Sequence, residues 1–238
     1  MPLRHAVIVT AAGSSRRFNE SSDAKNPVKK EFLTIGDMPV LCRAIAPFTQ
    51  VPGLVAVVVT YRDGDLEVVK ALIDQSAVLT NLPNVKVLYV KGGDTRQASV
   101  FHALSVLNDM AQELAIDIVS IHDGARPYVD KALVSSCIDA AFQHGGACPC
   151  IRMTDTLVKV DQDGFLCGRL SREGVCTVQT PQVFRFPDIY DAHCAAIAGK
   201  AYTDDTEIFM DFGKKVAFVQ GSKSNSKITY AQDLKEGH

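Results

Sequence analysis

Three short segments of this chain hold residue types suited to phosphate chemistry. The first, Ala11-Ala12-Gly13-Ser14-Ser15-Arg16-Arg17, combines small residues that let a backbone approach a phosphate with two arginines that supply fixed charge and forked donors. The second, Gly92-Gly93-Asp94-Thr95-Arg96, places glycines where a helix begins, a geometry that suits an anion at the helix N-terminus. The third, His122-Asp123-Gly124-Ala125-Arg126-Pro127, sets a carboxylate beside a glycine, well placed for a hydroxyl or for a metal ion carried by phosphates. Each has a plainer explanation: a tight turn with solvated arginines, an ordinary loop, a satisfied structural histidine. Neither Gly-x-x-x-x-Gly-Lys-Ser/Thr nor Gly-x-Gly-x-x-Gly occurs at these places, so the P-loop and dinucleotide fingerprints are absent from them. Three successive segments with the same chemistry favour a nucleotide-phosphate site over any single plain explanation. Arg172, Thr180, Thr203 and Lys227 are isolated in the sequence, and each alone reads as a surface residue.

The elements that must position these segments alternate in type. His5–Thr10, Leu54–Thr60, Val85–Val90 and Ile116–Ile121 are continuous, β-branched runs, as expected of strands buried on both faces. Between and after them lie helical patterns at Val40–Phe48, Leu66–Ile73, Ala98–Leu107 and Lys131–Phe142. This alternation predicts parallel βαβ units in a Rossmann-like, doubly wound, mostly parallel α/β sheet. Ligands in such sheets bind beyond the carboxyl ends of the strands, where the three segments fall. After Ile151 the rhythm changes: Thr156–Val160 and Phe165–Leu170 flank the turn Asp161-Gln162-Asp163-Gly164 and predict a β-hairpin arm inserted into the domain. Helices are expected at Pro187–Ile197 and Asp204–Phe212, the latter with Asp204 and Glu207 as a capping pair. A strand at Val216–Gln220 and a short helix from Thr229 close the chain, giving one domain over 1–238 with an arm at 152–176.

Composition removes several other classes. Of the 238 residues 47% are apolar, and 25 Lys+Arg face 27 Asp+Glu, which argues against disorder and against an overall basic nucleic-acid binder. The longest uncharged stretch, Ala44 to Tyr61, is broken by Pro47, Gln50, Pro52 and Gly53 and cannot supply the roughly 20 apolar residues of a membrane span. The N-terminal apolar run is shorter than the roughly 7–15 residues of a signal peptide. Seven dispersed cysteines make a poor disulfide framework and read as reduced, mostly buried thiols. A cytosolic protein is the expectation. The charge is unevenly spread: residues 1–30 hold six Lys+Arg and two Asp+Glu, whereas the remainder is acidic.

The segments AAGSSRRF, KKEFLTIGDMPVL, GGDTRQASV, HDGARP, TDTLVKV, QTPQVF, TDDTE and NSKIT-YAQDL, in this order, closely resemble the 2-C-methyl-D-erythritol 4-phosphate cytidylyltransferases of non-mevalonate isoprenoid synthesis. The resemblance implies transfer of a cytidylyl group from CTP to a polyol phosphate, with Mg2+ or another divalent cation. It implies that Ala11, Ala12, Gly13, Gly93, Asp94 and Ser99 line a cytosine and ribose pocket, and that Asp123 holds the ribose and helps place the metal through the CTP phosphates. Arg17 and Lys30 would neutralise the triphosphate; Thr156, Arg172, Thr180, Thr203 and Lys227 would grip the acceptor, Arg172 and Lys227 counting also as catalytic. The arm between Arg152 and Cys176 matches one exchanged in a homodimer, so Arg172 would serve the partner's site. No membrane or nucleic-acid partner is implied.

The sequence departs from the family pattern at its first loop. Ser15 replaces the second glycine, Phe18 the usual methionine, and Asn19–Lys29 is longer than usual, its hydrophilic part Asn19–Asn26 reading as a flap over the triphosphate. The family's Pro-Lys-Gln-Tyr becomes Lys29-Lys30-Glu31-Phe32; alignment backward from Leu33 selects Lys30, with Lys25 and Lys29 as competitors. A ribitol-5-phosphate cytidylyltransferase and a catalytically silent nucleotide-binding protein of the same fold are the alternatives.

Overall fold

The computed structural model describes residues 3–22, 27–197 and 199–234. The chain runs β1 (His5–Ala11), α1 (Arg16–Glu20), a 3-10 turn at Lys30–Phe32, β2 (Thr34–Ile35), β3 (Met38–Pro39), α2 (Val40–Thr49), β4 (Leu54–Tyr61), α3 (Leu66–Ser76), β5 (Lys86–Lys91), α4 (Arg96–Asp109), α5 (Ala111–Leu114), β6 (Ile118–Asp123), α6 (Lys131–His144) and β7 (Gly146–Arg152). It continues through β8 (Leu157–Val160), β9 (Leu166–Leu170), β10 (Cys176–Val178), β11 (Gln182–Arg185), α7 (Asp188–Cys194), α8 (Asp205–Asp211), β12 (Val216–Gln220) and a 3-10 turn at Ala231–Leu234.

The four β-branched runs become the parallel core of the sheet, in the order β6-β1-β4-β5. Alternate residues of β1 serve opposite layers. Val7 and Val9 pack with Leu41, Ile45 and Phe48 of α2, Val69 of α3 and Val134, Cys137 and Ile138 of α6. Ala6 and Ile8 pack with Val100, Leu104 and Leu107 of α4, Ile189 of α7 and Phe209 of α8. Both faces are thus covered by helices, which explains why these strands read as uninterrupted apolar runs. The expected doubly wound, mostly parallel α/β sheet is present.

Beyond β6 the sheet becomes mixed. β11 is antiparallel to both β6 and β7, β10 is antiparallel to β7, and β12 runs parallel to β7 on its other edge. β8 and β9 form a separate antiparallel hairpin whose residues are largely exposed, leaving β7 after Arg152 and rejoining the sheet at Cys176, its cross-strand partner. Asp204 caps α8 by accepting from the Glu207 N–H at 3.0 Å. Two expected helices are shorter than their patterns: Pro187–Ile197 yields α7, and the segment from Thr229 yields only the closing 3-10 turn. All seven cysteines are free; Cys42, Cys137, Cys148 and Cys150 are buried, whereas Cys167 and Cys194 are exposed. Among the described residues no helix is long and apolar enough to cross a membrane.

Candidate active site

The carboxyl ends of β1, β4, β5 and β6 open onto one cleft of about 970 Å³. Its floor comes from Thr10, Thr60 and Asp123, one wall from the first loop and α1, and the other from Gly92, Gly93 and the start of α4. On its rim Arg16 pairs with Glu20 at 2.7 Å and Lys91 with Asp63 at 3.0 Å, so these charges largely cancel. Arg17, Lys30, Arg62, Arg96 and Lys227 also line the cleft, the last two of the five facing Asp123.

A small separate core fixes the first loop. Phe18, Val40 and Ile228 are buried together, with Val28, Leu33 and Ile35 packed around them. Burying Phe18 anchors α1, which keeps the neighbouring Arg17 over the cleft. The same cluster seats the Lys30–Phe32 turn, whose Lys30 is 8% exposed. Its ammonium donates to the Ile228 carbonyl at 2.7 Å, and burial lowers its pKa against the attraction of Glu31. Glu31 is buried beside it; burial raises its pKa, and it accepts from the Ser15 hydroxyl at 3.1 Å. Lys29 instead pairs with Asp65 at 2.5 Å and does not line the cleft, and Lys25 lies outside the described residues. Of the Asn19–Asn26 stretch, expected as a flap, residues 23–26 lie outside the described residues.

Asp123 is the electrostatic centre. Burial alone would raise its pKa, but Lys227 at 2.7 Å, Arg96 at 3.5 Å and Arg126 at 3.7 Å outweigh that and hold it well below the usual carboxylate range. Its N–H donates to the Thr180 hydroxyl at 3.1 Å. That hydroxyl in turn faces Nδ1 of His122 at 3.0 Å, while Nε2 of His122 faces the Arg126 carbonyl at 3.2 Å. The arrangement suits a neutral ring with the proton on Nε2, and burial lowers the His122 pKa to about 4. His122 is thereby a structural brace.

The segment 222–228 is tied across the site. Gln179 donates to the Ser222 carbonyl at 2.8 Å, the buried Asn225 donates to the Thr180 carbonyl at 2.9 Å, and Arg126 donates to the Asn225 carbonyl at 2.8 Å. These bonds deliver Lys227 to Asp123, a residue 104 positions earlier.

Nine of the residues singled out from the sequence therefore line one cleft: Ala12, Gly13, Arg17, Lys30, Gly93, Asp94, Ser99, Asp123 and Lys227. Five do not. Ala11 is fully buried, its N–H donating to the Thr60 hydroxyl, because it ends a strand packed on both faces. Thr180 sits behind Asp123 as a brace. Thr203 is exposed, with its N–H donating to Glu207. Thr156 and Arg172 lie exposed on the arm, where Arg172 donates to the Thr154 carbonyl. Sequence reasoning gave no role to Arg126, Asn225, Asp205 or His193. Arg126 adjoins Asp123 within the third segment, and Asp205 and Asn225 lie in the segments TDDTE and NSKIT, which were the available signals; His193 has none in linear order.

A cation-bearing cleft at the carboxyl edge of a mostly parallel sheet marks an α/β enzyme acting on phosphorylated substrates. A family profile described as IspD, 2-C-methyl-D-erythritol 4-phosphate cytidylyltransferase, matches residues 5–237, and the chain belongs to that family. It is 35% identical to the enzyme of that name from Desulforamulus reducens, covering 95% of this chain and 91% of the relative. It is 38% identical to a bifunctional enzyme IspD/IspF from Rhodopseudomonas palustris, over 97% of this chain but only 54% of that relative. Among solved structures, 4-diphosphocytidyl-2C-methyl-D-erythritol synthase from Anaerococcus prevotii is similar with a TM-score of 0.78 at 25% identity, covering 99% of this chain and 94% of that one. The chain is a cytidylyltransferase.

Proposed function

We infer that the chain transfers the cytidylyl group of CTP to 2-C-methyl-D-erythritol 4-phosphate, giving 4-diphosphocytidyl-2-C-methyl-D-erythritol and pyrophosphate. Family membership supports the reaction, and the observation that carries the chemistry is the convergence of Arg17, Lys30 and Lys227 on one cleft beside Asp123. A bond forms between a phosphate-monoester oxygen of the acceptor and the α-phosphorus of CTP, while the bond from that phosphorus to the bridging oxygen of the leaving pyrophosphate breaks. The second pKa of a phosphate monoester is about 6, so the attacking oxygen is already ionised near neutral pH and needs no base. The barrier is repulsion between anions and their positioning, which fixed cations relieve. Arg17 and Lys30 are assigned to the triphosphate and Lys227 to the acceptor phosphate, with Ala12, Gly13, Gly93, Asp94 and Ser99 around the base and ribose and Asp123 as the ribose contact.

Asp123 does not suit a protein-held metal cage, since three cations already face its carboxylate. Among the described residues no group of three or more His, Cys, Asp or Glu could hold a metal ion. Mg2+ is proposed to enter as its CTP complex. The proposed acceptor residues Thr156 and Arg172 lie on an arm that also exposes Val160, Phe165 and Leu166. A homodimer in which each arm serves the other protomer's cleft accounts for both facts, and a cytosolic setting supplies CTP.

The decisive experiment follows pyrophosphate release with CTP, UTP, ATP or GTP against methylerythritol phosphate, ribitol phosphate or no acceptor. Release only with CTP and methylerythritol phosphate is expected. Release only with ribitol phosphate would replace the acceptor, and no release with any pair would leave a silent nucleotide binder.

A further inference from the structure

One run of buried charge remains without a role in the reaction as written. His193 of α7 and Asp205 of α8 have fully buried side chains, with Nε2 of His193 3.1 Å from Oδ1 of Asp205. The second Asp205 oxygen accepts from Nη1 of Arg96 at 2.7 Å, and Nε of Arg96 reaches Oδ1 of Asp123 at 3.5 Å. The chain of contacts thus runs from a helix pair on one face of the sheet to the carboxylate on the cleft floor.

Holding a carboxylate with no solvent contact is expensive, and apolar packing between α4, α7 and α8 would serve the fold as well. The geometry shows what the charges accomplish. The two bonds of Arg96 are unequal: the one to Asp205 is short and the one to Asp123 is long. Asp205 therefore sets where the guanidinium rests. Its backbone N–H donates to the Gln182 side chain at 2.9 Å, so the first turn of α8 that carries it is tied to β11. His193 fixes the remaining oxygen. Its ring lies parallel to Phe101, at 3° and 6.3 Å, and its buried Nδ1 has no hydrogen-bond partner. Nε2 is therefore the ring atom that donates to the Asp205 carboxylate.

We propose that His193 and Asp205 are positioning residues that hold the Arg96 guanidinium part-way back from Asp123, so that this carboxylate keeps an oxygen available to the nucleotide. Without Asp205, Arg96 closes onto Asp123 and competes with the nucleotide for it. The proposal rests on Asp123 being a nucleotide contact, a part of the functional reading given above.

The test measures CTP affinity by titration calorimetry without acceptor, alongside the KM values for CTP and acceptor, in Asp205→Asn, His193→Phe and His193→Gln. His193→Phe keeps the stacked ring without the donor, and His193→Gln restores a donor near Nε2. Loss of one charge-assisted contact is expected to weaken CTP binding about tenfold in Asp205→Asn and about threefold in His193→Phe, with acceptor KM unchanged and His193→Gln close to wild type. Equal CTP affinity in folded Asp205→Asn and wild type would overturn the proposal, as would His193→Gln no better than His193→Phe. If Asp205→Asn does not fold, the two His193 variants decide. Wild-type protein that binds CTP but releases no pyrophosphate defeats the functional reading and leaves this one standing.

Discussion

Ser15 occupies a backbone conformation that favours glycine, with φ +54° and ψ +27°. An L-residue there costs on the order of 1 kcal/mol. Its hydroxyl offsets that cost by accepting from the Lys30 N–H at 3.2 Å and donating to Glu31 at 3.1 Å, joining the first loop to the turn that carries the lysine. Ser15→Gly removes both the strain and the hydroxyl, whereas Ser15→Ala keeps the strain and leaves buried Glu31 without this donor. Urea unfolding should rank wild type above Ser15→Gly above Ser15→Ala, with the alanine variant losing about 1–3 kcal/mol. An alanine variant as stable as the glycine one would refute the account. His122 gives a second prediction at this scale. Its folded pKa, about 4, lies below the unfolded value of 6.5, so on acidification the unfolded chain takes up this proton first. Stability is therefore constant with respect to this group above pH 6.5 and is lost as pH falls from 6.5 to 4, by up to about 3 kcal/mol. Burial shifts His5 in the same direction. Urea midpoints measured across this window should fall, and His122→Gln should flatten the slope; an unchanged slope would remove His122 as its source.

Elements were legible in proportion to how strongly burial marked them. β1, β4 and β6 are buried Val- and Ile-rich runs, and β5, partly buried at the sheet edge, keeps the run Val-Leu-Tyr-Val, so all four could be read directly. β7, Gly-Ala-Cys-Pro-Cys-Ile-Arg, is equally central but contains a glycine and a proline, both depleted in strands, and so gave no strand signal. β10 and β11 span three and four residues, too few for a period to show, and their antiparallel direction depends on partners distant in sequence. α1 has five residues and is held by Phe18 rather than by its own propensity. Two glycines test what the strand-to-helix turns require. A Cβ on Gly92 would lie 2.4 Å from the Ala12 Cβ and 2.8 Å from the Ser99 hydroxyl, wedging β5–α4 away from the first loop. A Cβ on Gly13 would meet nothing within 4 Å. Gly92→Ala should cost about 1–3 kcal/mol of stability along with CTP affinity. Gly13→Ala should leave the thermal midpoint nearly unchanged and weaken CTP binding alone. Equal thermal losses in the two variants would contradict this division.

The whole molecule sets a cation-rich first loop against an acidic remainder, and a near-neutral total conceals both. The sequence also marked the arm, through its turn, but linear order cannot show whether, in the proposed homodimer, it serves its own cleft or the partner's. Complementation can. Arg172→Ala and Lys227→Ala should each be nearly inactive, and a mixture refolded together should recover about a quarter of wild-type activity, because half of random C2 dimers would carry one intact site. No recovery in a mixture shown to contain heterodimers would confine Arg172 to its own chain. The tie across the site by residues 222–228 has a further consequence in the order of synthesis. These residues leave the ribosome after every strand of the sheet, yet they carry the lysine that pairs with Asp123 and the carbonyl that receives Lys30. The charge of the cleft is therefore complete only when the segment that follows the last strand has docked across it.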